Sequence, residues 1–392
     1  GKGTVSSLLG VSLQRAGWRT GVLTSPHVER INERLRICGT PASDVALATA
    51  LHAAADARDE AARRGSPGGA ATWFDTWIAA SFEAMARAEV EWGIVECGLG
   101  GLRDSTNVID AELAVLTSVE LEHTEVLGET HAQIAREKAG ILRRGGTLVA
   151  AVGGEAADAV RQVGRERHGC IRILPPSADP LGASGNLAVA RAAMDELGRS
   201  GVSCTRSMPR GITRLGGSLV DDVTVATASS WLPARQESIT AACGTRTFLD
   251  GAHTPRSVEA LVTAMTSEPR SHPPPVVMLG MLASKDAGEA VSQLQRLEPV
   301  HVVCALVEGS DAASASIPPA TLVALAAEQG FAASAIPCTE AALERGVELA
   351  RTHSSLLLVV GSFRICGVVR KHLVAAGGQV DRHGASHVRA SR

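Results

Sequence analysis

Short apolar runs alternate with segments of helical spacing through the first half of the chain. The runs that we assign to strands lie at residues 20–24, 94–97, 113–117 and 147–152. Segments with apolar residues three or four positions apart lie at 5–16, 77–90, 130–141, 155–167 and 185–197. Strands separated by helices in this way predict an α/β fold with a mostly parallel sheet.

The second half repeats the alternation on a smaller scale. A helix begins near Arg256, and strand-like runs lie at residues 247–249, 275–280, 300–307 and 356–360. We therefore predict a first, P-loop-containing domain at residues 1–238 that lacks its first strand. A second, smaller Rossmann-like α/β domain follows at 239–378, and residues 379–392 form a flexible tail.

The composition is that of a globular protein. Hydrophobic residues make up 45% of the chain, charged residues 20%, and the formal net charge is −3. This weak negative charge and the lack of an apolar run of about 18 residues predict neither nucleic acid nor membrane as a partner. The eight cysteines are scattered singly, which is typical of reduced thiols in the cytoplasm, although any targeting segment would precede Gly1.

The first four residues, Gly1-Lys2-Gly3-Thr4, match the second half of a phosphate-binding P-loop. Such a short motif recurs by chance, but the helix and strand predicted directly after it place the loop at a helix N-terminus, which favours anions. We expect the N-terminus to be incomplete. Residues 1–392 would then bind ATP weakly or not at all and expose an apolar sheet edge.

Polar residues follow three predicted strands. Ser25 follows the first, where a helix N-cap before Pro26 is the simpler interpretation. Glu96 interrupts the end of an apolar run before three glycines, and a carboxylate there is costly to bury unless it is paired or binds a metal. A solvated bend is the alternative. His123 follows the third strand, where a lone histidine is usually structural. Because the carboxyl ends of parallel strands meet at one edge, the three together predict a Mg²⁺ site.

Five further residues are open to two interpretations. Arg34 and Arg36 either form a solvated charged face or meet an acidic substrate. Lys138, near the end of a predicted helix, is from its position alone an ordinary lysine favoured by the helix dipole. Asp250 and His253, at a strand-to-helix junction, either face a nucleotide or form the turn and its cap.

In this order, these clusters resemble the folylpolyglutamate synthase/dihydrofolate synthase family, which belongs to the muramyl-ligase-like ATP-dependent amide ligases. The resemblance extends from Gly1 to about Val369. Besides the P-loop, it rests on motifs that begin at the following positions: Thr24-Ser25-Pro26-His27, Ile31-Asn32-Glu33-Arg34, Glu96-Cys97-Gly98-Leu99, Glu122-His123-Thr124-Glu125, Glu137-Lys138-Ala139-Gly140, Asp250-Gly251-Ala252-His253, Gly280-Met281-Leu282 and Gly361-Ser362-Phe363.

The resemblance implies a cytoplasmic, monomeric ligase that depends on ATP and two Mg²⁺ ions. It would join L-glutamate to a dihydropteroate or folate carboxylate through an acyl phosphate. One alternative is a muramyl-peptide-type ligase, which the Ser25-Pro26-His27 and Glu96 clusters disfavour. The other is a nucleotide-binding homologue that is inactive in this truncated form.

The resemblance also implies residue roles. The ATP-binding residues would be Gly1, Lys2, Gly3, Thr4, Asn186, Arg235, Asp250 and His253. The metal ligands would be Thr4, Ser25, Glu96 and His123. Lys138, carbamylated in this group, would join Glu96 and His123 as the catalytic set. The substrate-binding residues would be Arg34, Arg36, Asp75 and Asp104.

Several positions depart from the family pattern. Glu122 stands where Asp is common before the metal histidine, Asp75 stands where Glu is commoner, and Thr254 replaces a common Asn. The region 170–235 also looks shorter than usual, which suggests that part of the first domain is trimmed.

Overall fold

The computed structural model describes residues 1–175, 183–199, 232–266, 273–309 and 315–381. The chain divides into two compact units. Unit 1 comprises Gly1–His27 and Ile31–Ser230, and unit 2 comprises Val28–Arg30 and Trp231–Arg392. Three residues from the early part of the chain therefore belong to the second unit. Within the described residues, no helix combines the length and the apolar character needed to cross a bilayer.

Unit 1 contains two small sheets in the described residues. The first has the order β3-β2-β1-β4, in which β1 and β4 are parallel and the other pairs antiparallel; the second, β5-β6-β7, is parallel throughout. The strands are β1 (Thr20–Leu23), β2 (Leu35–Ile37), β3 (Thr40–Pro41), β4 (Trp92–Val95), β5 (Leu113–Leu116), β6 (Thr147–Ala151) and β7 (Cys170–Leu174).

The helices of unit 1 have recognisable starts. Ser43 caps α2, and two capping boxes, Thr72 with Asp75 and Thr130 with Gln133, begin α3 and α5. The described helices are α1 (Lys2–Arg15), α2 (Asp44–Arg63), α3 (Trp73–Arg87), α4 (Thr124–Leu127), α5 (His131–Ala139), α6 (Gly154–Arg167) and α7 (Ala183–Arg199). Short 3₁₀ segments lie at Ile31–Arg34, Pro67–Ala70 and Ser105–Val108.

A shared apolar layer joins the two sheets of unit 1. Residues of α1 and α7 form one buried cluster, and side chains from both β4 and β5 pack against it: Trp92, Ile94, Leu113 and Val115. Because successive side chains of a strand point to opposite faces, this contact fixes which face of each sheet the helices cover. The strand ends that carry the predicted site thus belong to one packed body.

Unit 2 is built on a seven-stranded sheet of order β12-β11-β10-β13-β9-β8-β14, parallel except for the pairs that involve β8. Its strands are β8 (Glu237–Thr240), β9 (Arg246–Leu249), β10 (Val276–Leu279), β11 (His301–Cys304), β12 (Ala333–Ala335), β13 (Leu357–Val360) and β14 (Gln379–Asp381). Its described helices are α8 (Pro255–Thr266), α9 (Ala287–Ser292), α10 (Pro319–Glu328), α11 (Thr339–Thr352) and α12 (Phe363–Ala375), with a 3₁₀ segment at Gln293–Leu297. Every residue of β10 and β13 is buried, as expected for central strands covered on both faces.

The predicted α/β class with mostly parallel sheets is confirmed, whereas the domain limits differ. The predicted division between residues 238 and 239 cuts through β8, whose pairing with β9 and β14 places it wholly in unit 2. The predicted tail begins at residue 379, yet Gln379–Asp381 is strand β14. The rest of that tail, 382–392, lies outside the described residues, as do 176–182 and 200–231 of the region that looked shortened.

Candidate functional site

Ser25 and Glu96 meet at the ends of two neighbouring parallel strands. Leu23 of β1 pairs with Val95 of β4, and the Glu96 N–H donates to the Leu23 carbonyl at 3.0 Å. The Ser25 N–H in turn donates to Glu96 Oε2 at 3.0 Å. Glu96 is buried, with 7% of its surface exposed. The sequence prediction that these two residues share one sheet edge agrees with this geometry.

The predicted P-loop lies beside the same edge. Helix α1 begins at Lys2 with Gly1 as its N-cap, so the positive end of the helix dipole falls on these residues. Lys2 Nζ donates to the carbonyl of Gly98 at 3.2 Å, in the glycine loop that follows Glu96. A Cβ on Gly1 would lie 3.2 Å from Thr117 Oγ1 and 3.4 Å from Asn186 Oδ1. Gly1, Thr117 and the predicted ATP-binding Asn186, which is buried within α7, are therefore close together.

The glycine loop needs its glycines to reach helix α5. Gly100 has a φ of +71°, which favours glycine. A Cβ on Gly101 would lie 2.5 Å from the carbonyl of Lys138, closer than any real contact. The Leu102 N–H donates to the Glu137 carbonyl at 2.9 Å. This close approach brings the end of α5, and with it Lys138, to the loop that follows Glu96.

Lys138 is half-buried in a charged environment. Burial lowers the pKa of its ammonium, and the nearby Lys2 lowers it further, while Glu122 and Glu120 act in the opposite direction. A lowered pKa increases the fraction of neutral amine at a given pH. Lys138 thus differs from the ordinary helix-end lysine that its position alone suggested.

The carboxylates that face Lys138 include one that the sequence analysis did not identify. Glu120 acts on Lys138 together with Glu122, and Ser118 Oγ lies 3.5 Å from Glu120 Oε1. Glu120 and Glu122 both follow β5. Glu120 could have been found from the sequence, because it lies two residues before Glu122 in the same cluster of polar residues after that strand.

His123 lies close to a neighbouring carboxylate, that of Glu125. It has a left-handed backbone conformation, its side chain is 44% exposed, and its Nδ1 lies 3.8 Å from Glu125 Oε1. The predicted metal role of His123 stays a prediction.

The chemistry of the donor set fits a hard divalent cation. Among the described residues, no group of three or more His, Cys, Asp and Glu side chains could hold a metal ion. The predicted set, however, consists of one buried carboxylate, Glu96, the hydroxyls of Ser25 and Thr4, and the imidazole of His123. Mg²⁺ is commonly held by one or two carboxylates, completed by waters and substrate phosphates, so few protein ligands suffice.

Arg34, the last residue of the 3₁₀ segment before β2, reaches the same neighbourhood. Its Nε donates to His27 Nδ1 at 2.8 Å, and its guanidinium carbon lies 5.4 Å from the centre of the Trp73 ring. Burial lowers the pKa of Arg34, while the negative charge of Glu96 acts to raise it. Trp73 is 58% exposed and stacks on Trp77. His27 and Trp73 were not identified as site residues. An aromatic residue directly after the Thr72 cap was the available signal for Trp73.

Arg36 and the two predicted substrate-binding aspartates have local partners. Arg36 Nη1 donates to Gly39 O at 3.4 Å, and burial lowers its pKa. Asp75 accepts from Thr72 and from Ser105 Oγ at 2.5 Å, and these hydrogen bonds lower its pKa. Asp104 accepts from the N–H groups of Leu99 and Thr106, both at 2.9 Å. These contacts shape the loops around Glu96, and substrate binding by the three residues stays a prediction.

A second cluster of predicted nucleotide-binding residues lies in unit 2. Burial raises the pKa of Asp250, whose carboxylate accepts from the N–H groups of Ala252 at 2.8 Å and Gln236 at 3.0 Å. The guanidinium carbon of Arg235 lies 4.7 Å from the centre of the Phe363 ring. The rings of His253 and Phe363 pack edge to face, with their centres 5.9 Å apart. Arg235, Asp250 and His253 therefore form one neighbourhood around Phe363.

Comparison with known proteins points to one family. The model of the Mur ligase glutamate ligase domain matches residues 234–363. A dihydrofolate synthase/folylpolyglutamate synthase of Escherichia coli is 30% identical over 342 residues, which cover 80% of this chain and 73% of the relative. Other curated relatives are matched over smaller parts of their own length. For two of them, the match covers 21% and 39% of the relative.

Two solved structures share the fold at about the same identity. E. coli FolC in complex with DHPP and ADP has a TM-score of 0.76 and 25% identity, covering 95% of this chain and 86% of that one. The bifunctional folylpolyglutamate synthase/dihydrofolate synthase of Yersinia pestis, complexed with AMPPNP and Mn ion, has a TM-score of 0.72 and 25% identity, covering 95% and 87%.

Proposed function

The chain belongs to the dihydrofolate synthase/folylpolyglutamate synthase family, and we propose that it is a ligase that uses ATP and a divalent cation to join L-glutamate to the carboxylate of a dihydropteroate or folate. The proposal is carried by one observation. The P-loop Lys2, the strand-end carboxylate Glu96 and the half-buried Lys138 converge on the glycine loop that begins at Gly98.

The reaction has two steps. A carboxylate oxygen of the acceptor attacks the γ-phosphorus of ATP, which forms an acyl phosphate and releases ADP. The amine of glutamate then attacks the acyl carbon, loses a proton and expels phosphate as the amide bond forms. Phosphoryl transfer depends mainly on positioning and charge neutralisation, so the site needs cations and oriented N–H groups rather than a protein nucleophile.

The residues of unit 1 have matching roles in this proposal. Lys2 and the N–H groups at the start of α1 bind the phosphates, and Asn186, close to Gly1, contacts the nucleotide. Glu96, Ser25 and Thr4 would hold the cation, with His123 as a further ligand. When bound, the cation neutralises charge on the phosphate oxygens. Arg34 attracts the acidic acceptor, and Trp73 offers an exposed ring beside it.

Lys138 is proposed to act as a carbamate. Its neutral amine would attack carbon dioxide and release a proton, which leaves a carboxylate on the lysine nitrogen. The lowered pKa of the amine supports this step, because only the neutral form reacts. The resulting carboxylate would add an oxygen donor beside Lys2.

In unit 2, Arg235, Asp250 and His253 are proposed to contact the nucleotide. The support is their common neighbourhood around Phe363, together with the resemblance. Arg235 supplies a cation, and the buried Asp250 accepts the Gln236 and Ala252 N–H groups and so orders the turn beside it.

The substrates of this family are small molecules, and we propose further that the protein acts as a cytoplasmic monomer without nucleic acid. The net charge of −3 gives the chain no overall attraction to a polyanion. The seven cysteines in the described residues are free thiols, which suits a reducing compartment.

An ADP-release assay tests the proposed ligase function. ADP should form only when ATP, a pteroate or folate acceptor and L-glutamate are all present, and dihydropteroate and tetrahydrofolate should be compared as acceptors. ATP binding without acceptor-dependent ADP release would instead support a nucleotide-binding homologue. Turnover with a muramyl peptide in place of the folate would support the other alternative.

A further inference from the structure

The loop between β1 and β2 crosses from one unit to the other and returns. It carries Ser25 and His27 at its start and Arg34 at its end, and its base is closed by the Thr24 N–H, which donates to the Arg34 carbonyl at 2.8 Å. Its middle residues, Val28–Arg30, belong to unit 2. We call these three residues the strap. Whatever holds the strap also constrains both ends of the loop, because only a few residues separate them.

A glycine of α12 lets the strap approach closely. Val28 packs against a buried cluster of unit 2, and a Cβ on Gly367 would lie only 2.2 Å from the Val28 carbonyl oxygen. The Val28 carbonyl is part of the backbone, so it cannot move away from a new Cβ as the end of a flexible side chain can. Any larger residue at position 367 would therefore displace the strap.

An arginine three residues later on the same helix face holds the strap by charge. Arg370 pairs with Glu29 of the strap, and its Nε also donates to Glu237 Oε1 at 2.8 Å. The side chains of Arg370 and Glu29 are only 16% and 21% exposed, and Glu237 is fully buried. Solvent and salt screen such a pair less than an exposed one.

The same network reaches the turn that carries Arg235. The second oxygen of Glu237 accepts from the Ala234 N–H at 2.9 Å, and Ala234 has a φ of +53°. Arg370 is thus linked to the strap through Glu29. Through Glu237 it is also linked to Ala234, the residue before Arg235.

We propose that Gly367 and the Glu29–Arg370 pair hold the strap and thereby position His27 and Arg34 for the acceptor. The assignment rests on the ligase function proposed above. Arg370 is a positioning residue, since it acts through Glu29 and through the Ala234 turn rather than on the reacting atoms.

Two variants weaken the strap in different ways. Glu29→Gln removes the charge of the strap but leaves the Arg370–Glu237 pair intact, whereas Arg370→Gln would leave Glu237 buried without its cation and is avoided. Gly367→Ala displaces the strap by steric contact. The controls are Glu348→Gln, which removes an exposed pair with Arg345 in the same unit, and Gly288→Ala, where the nearest atom to the new Cβ is 3.8 Å away.

Hydrogen exchange and steady-state kinetics give separate readouts. In both strap variants, the amides of Thr24 and Ser25 should exchange about tenfold faster, and KM for the acceptor should rise about tenfold, as expected for loss of a partly buried ion pair. KM for ATP should rise less than KM for the acceptor, because Lys2 and Glu96 are unchanged, and the controls should match the wild type.

Each outcome bears on one claim. Unchanged exchange at Thr24 and Ser25 in both variants would overturn the proposal. Faster exchange with an unchanged KM for the acceptor would also overturn it, because the strap would then have a structural role alone. If the wild-type protein shows no acceptor-dependent turnover, the ligase function fails, while the exchange rates still decide whether the pair holds the loop.

Discussion

At the scale of single residues, the site depends on charges placed where water is scarce. Glu96 is buried and receives the Ser25 N–H, while Lys138 has its pKa lowered by burial and by Lys2. Burying charge is costly unless another charge or a ligand compensates for it. Buried charges and groups with shifted pKa values cluster at functional sites. Glu96 directly precedes the glycine loop, and Lys138 lies at the helix end that this loop approaches.

Glu96→Gln should abolish ligase activity while the protein stays folded. Glutamine keeps an oxygen that accepts from the Ser25 N–H, but it lacks the negative charge that a divalent cation requires. We expect ADP release to fall at least about 100-fold. Glu83→Gln, at an exposed pair on α3, serves as the control. Unchanged turnover at saturating Mg²⁺, with thermal unfolding measured alongside, would contradict the assignment of Glu96 as a metal ligand.

Lys138→Ala should be inactive and partly rescued by bicarbonate or a short-chain carboxylate. The lost group in this proposal is a carboxylate, so a small carboxylate could occupy its place. The pH dependence follows from the lowered pKa: neutral amine accumulates as pH rises through that pKa, so carbamate should form more readily at higher pH for a fixed concentration of dissolved carbon dioxide.

Carbon-13 NMR with labelled carbon dioxide measures the carbamate directly. The wild-type signal should be absent in Lys138→Ala and present in a variant of an exposed lysine, Lys371→Ala. An alanine variant with near-normal activity would reduce Lys138 to a helix-end charge.

At the scale of elements, the site is assembled by close backbone approach. The loop after β4 lies on the end of α5, where Gly101 comes near the Lys138 carbonyl and Gly140 comes near Leu102. The Thr130–Gln133 capping box fixes where α5 begins. The position of Lys138 relative to Glu96 therefore depends on contacts that only glycine permits.

Gly101→Ala should separate the loop from α5. The new Cβ would meet the Lys138 carbonyl at 2.5 Å, and such overpacking costs about 1–3 kcal/mol of stability. Activity should fall by more than stability alone explains, because Lys138 moves relative to Glu96. Gly288→Ala in α9 meets no close atom and should be neutral or slightly stabilising. Denaturant unfolding and ADP release check both variants, and an active, fully stable Gly101→Ala protein would contradict this account.

Local patterns predicted several strands and amphipathic helices, but not the longest described helix, α2. The run at 113–117 is strand β5, and the periodic segment at 155–167 is helix α6. Helix α2 went unassigned because it buries little apolar surface, namely Leu47, Ala50 and Ala54. For the site, the strand-end positions of Ser25 and Glu96 followed from sequence. The pairing of Glu29 with Arg370 depends on a tertiary contact that no local pattern carries.

At the scale of the whole molecule, the two units have separate cores. The described residues form five buried clusters, and each cluster draws its members from one unit alone, with Val28 of the strap counted in unit 2. Separate cores allow separate opening, because cooperative unfolding follows contiguous buried contacts. A core change in one unit should then be felt mainly in that unit.

A matched pair of core substitutions tests this independence. Leu148 in β6 and Leu358 in β13 are both fully buried in strands with a neighbour on each side. Replacing either by alanine should cost about 2–5 kcal/mol through lost burial and the cavity left behind. Hydrogen exchange should report faster opening of unit 1 amides in Leu148→Ala and of unit 2 amides in Leu358→Ala. Equal loss of protection in both units from either substitution would show that the two cores unfold as one.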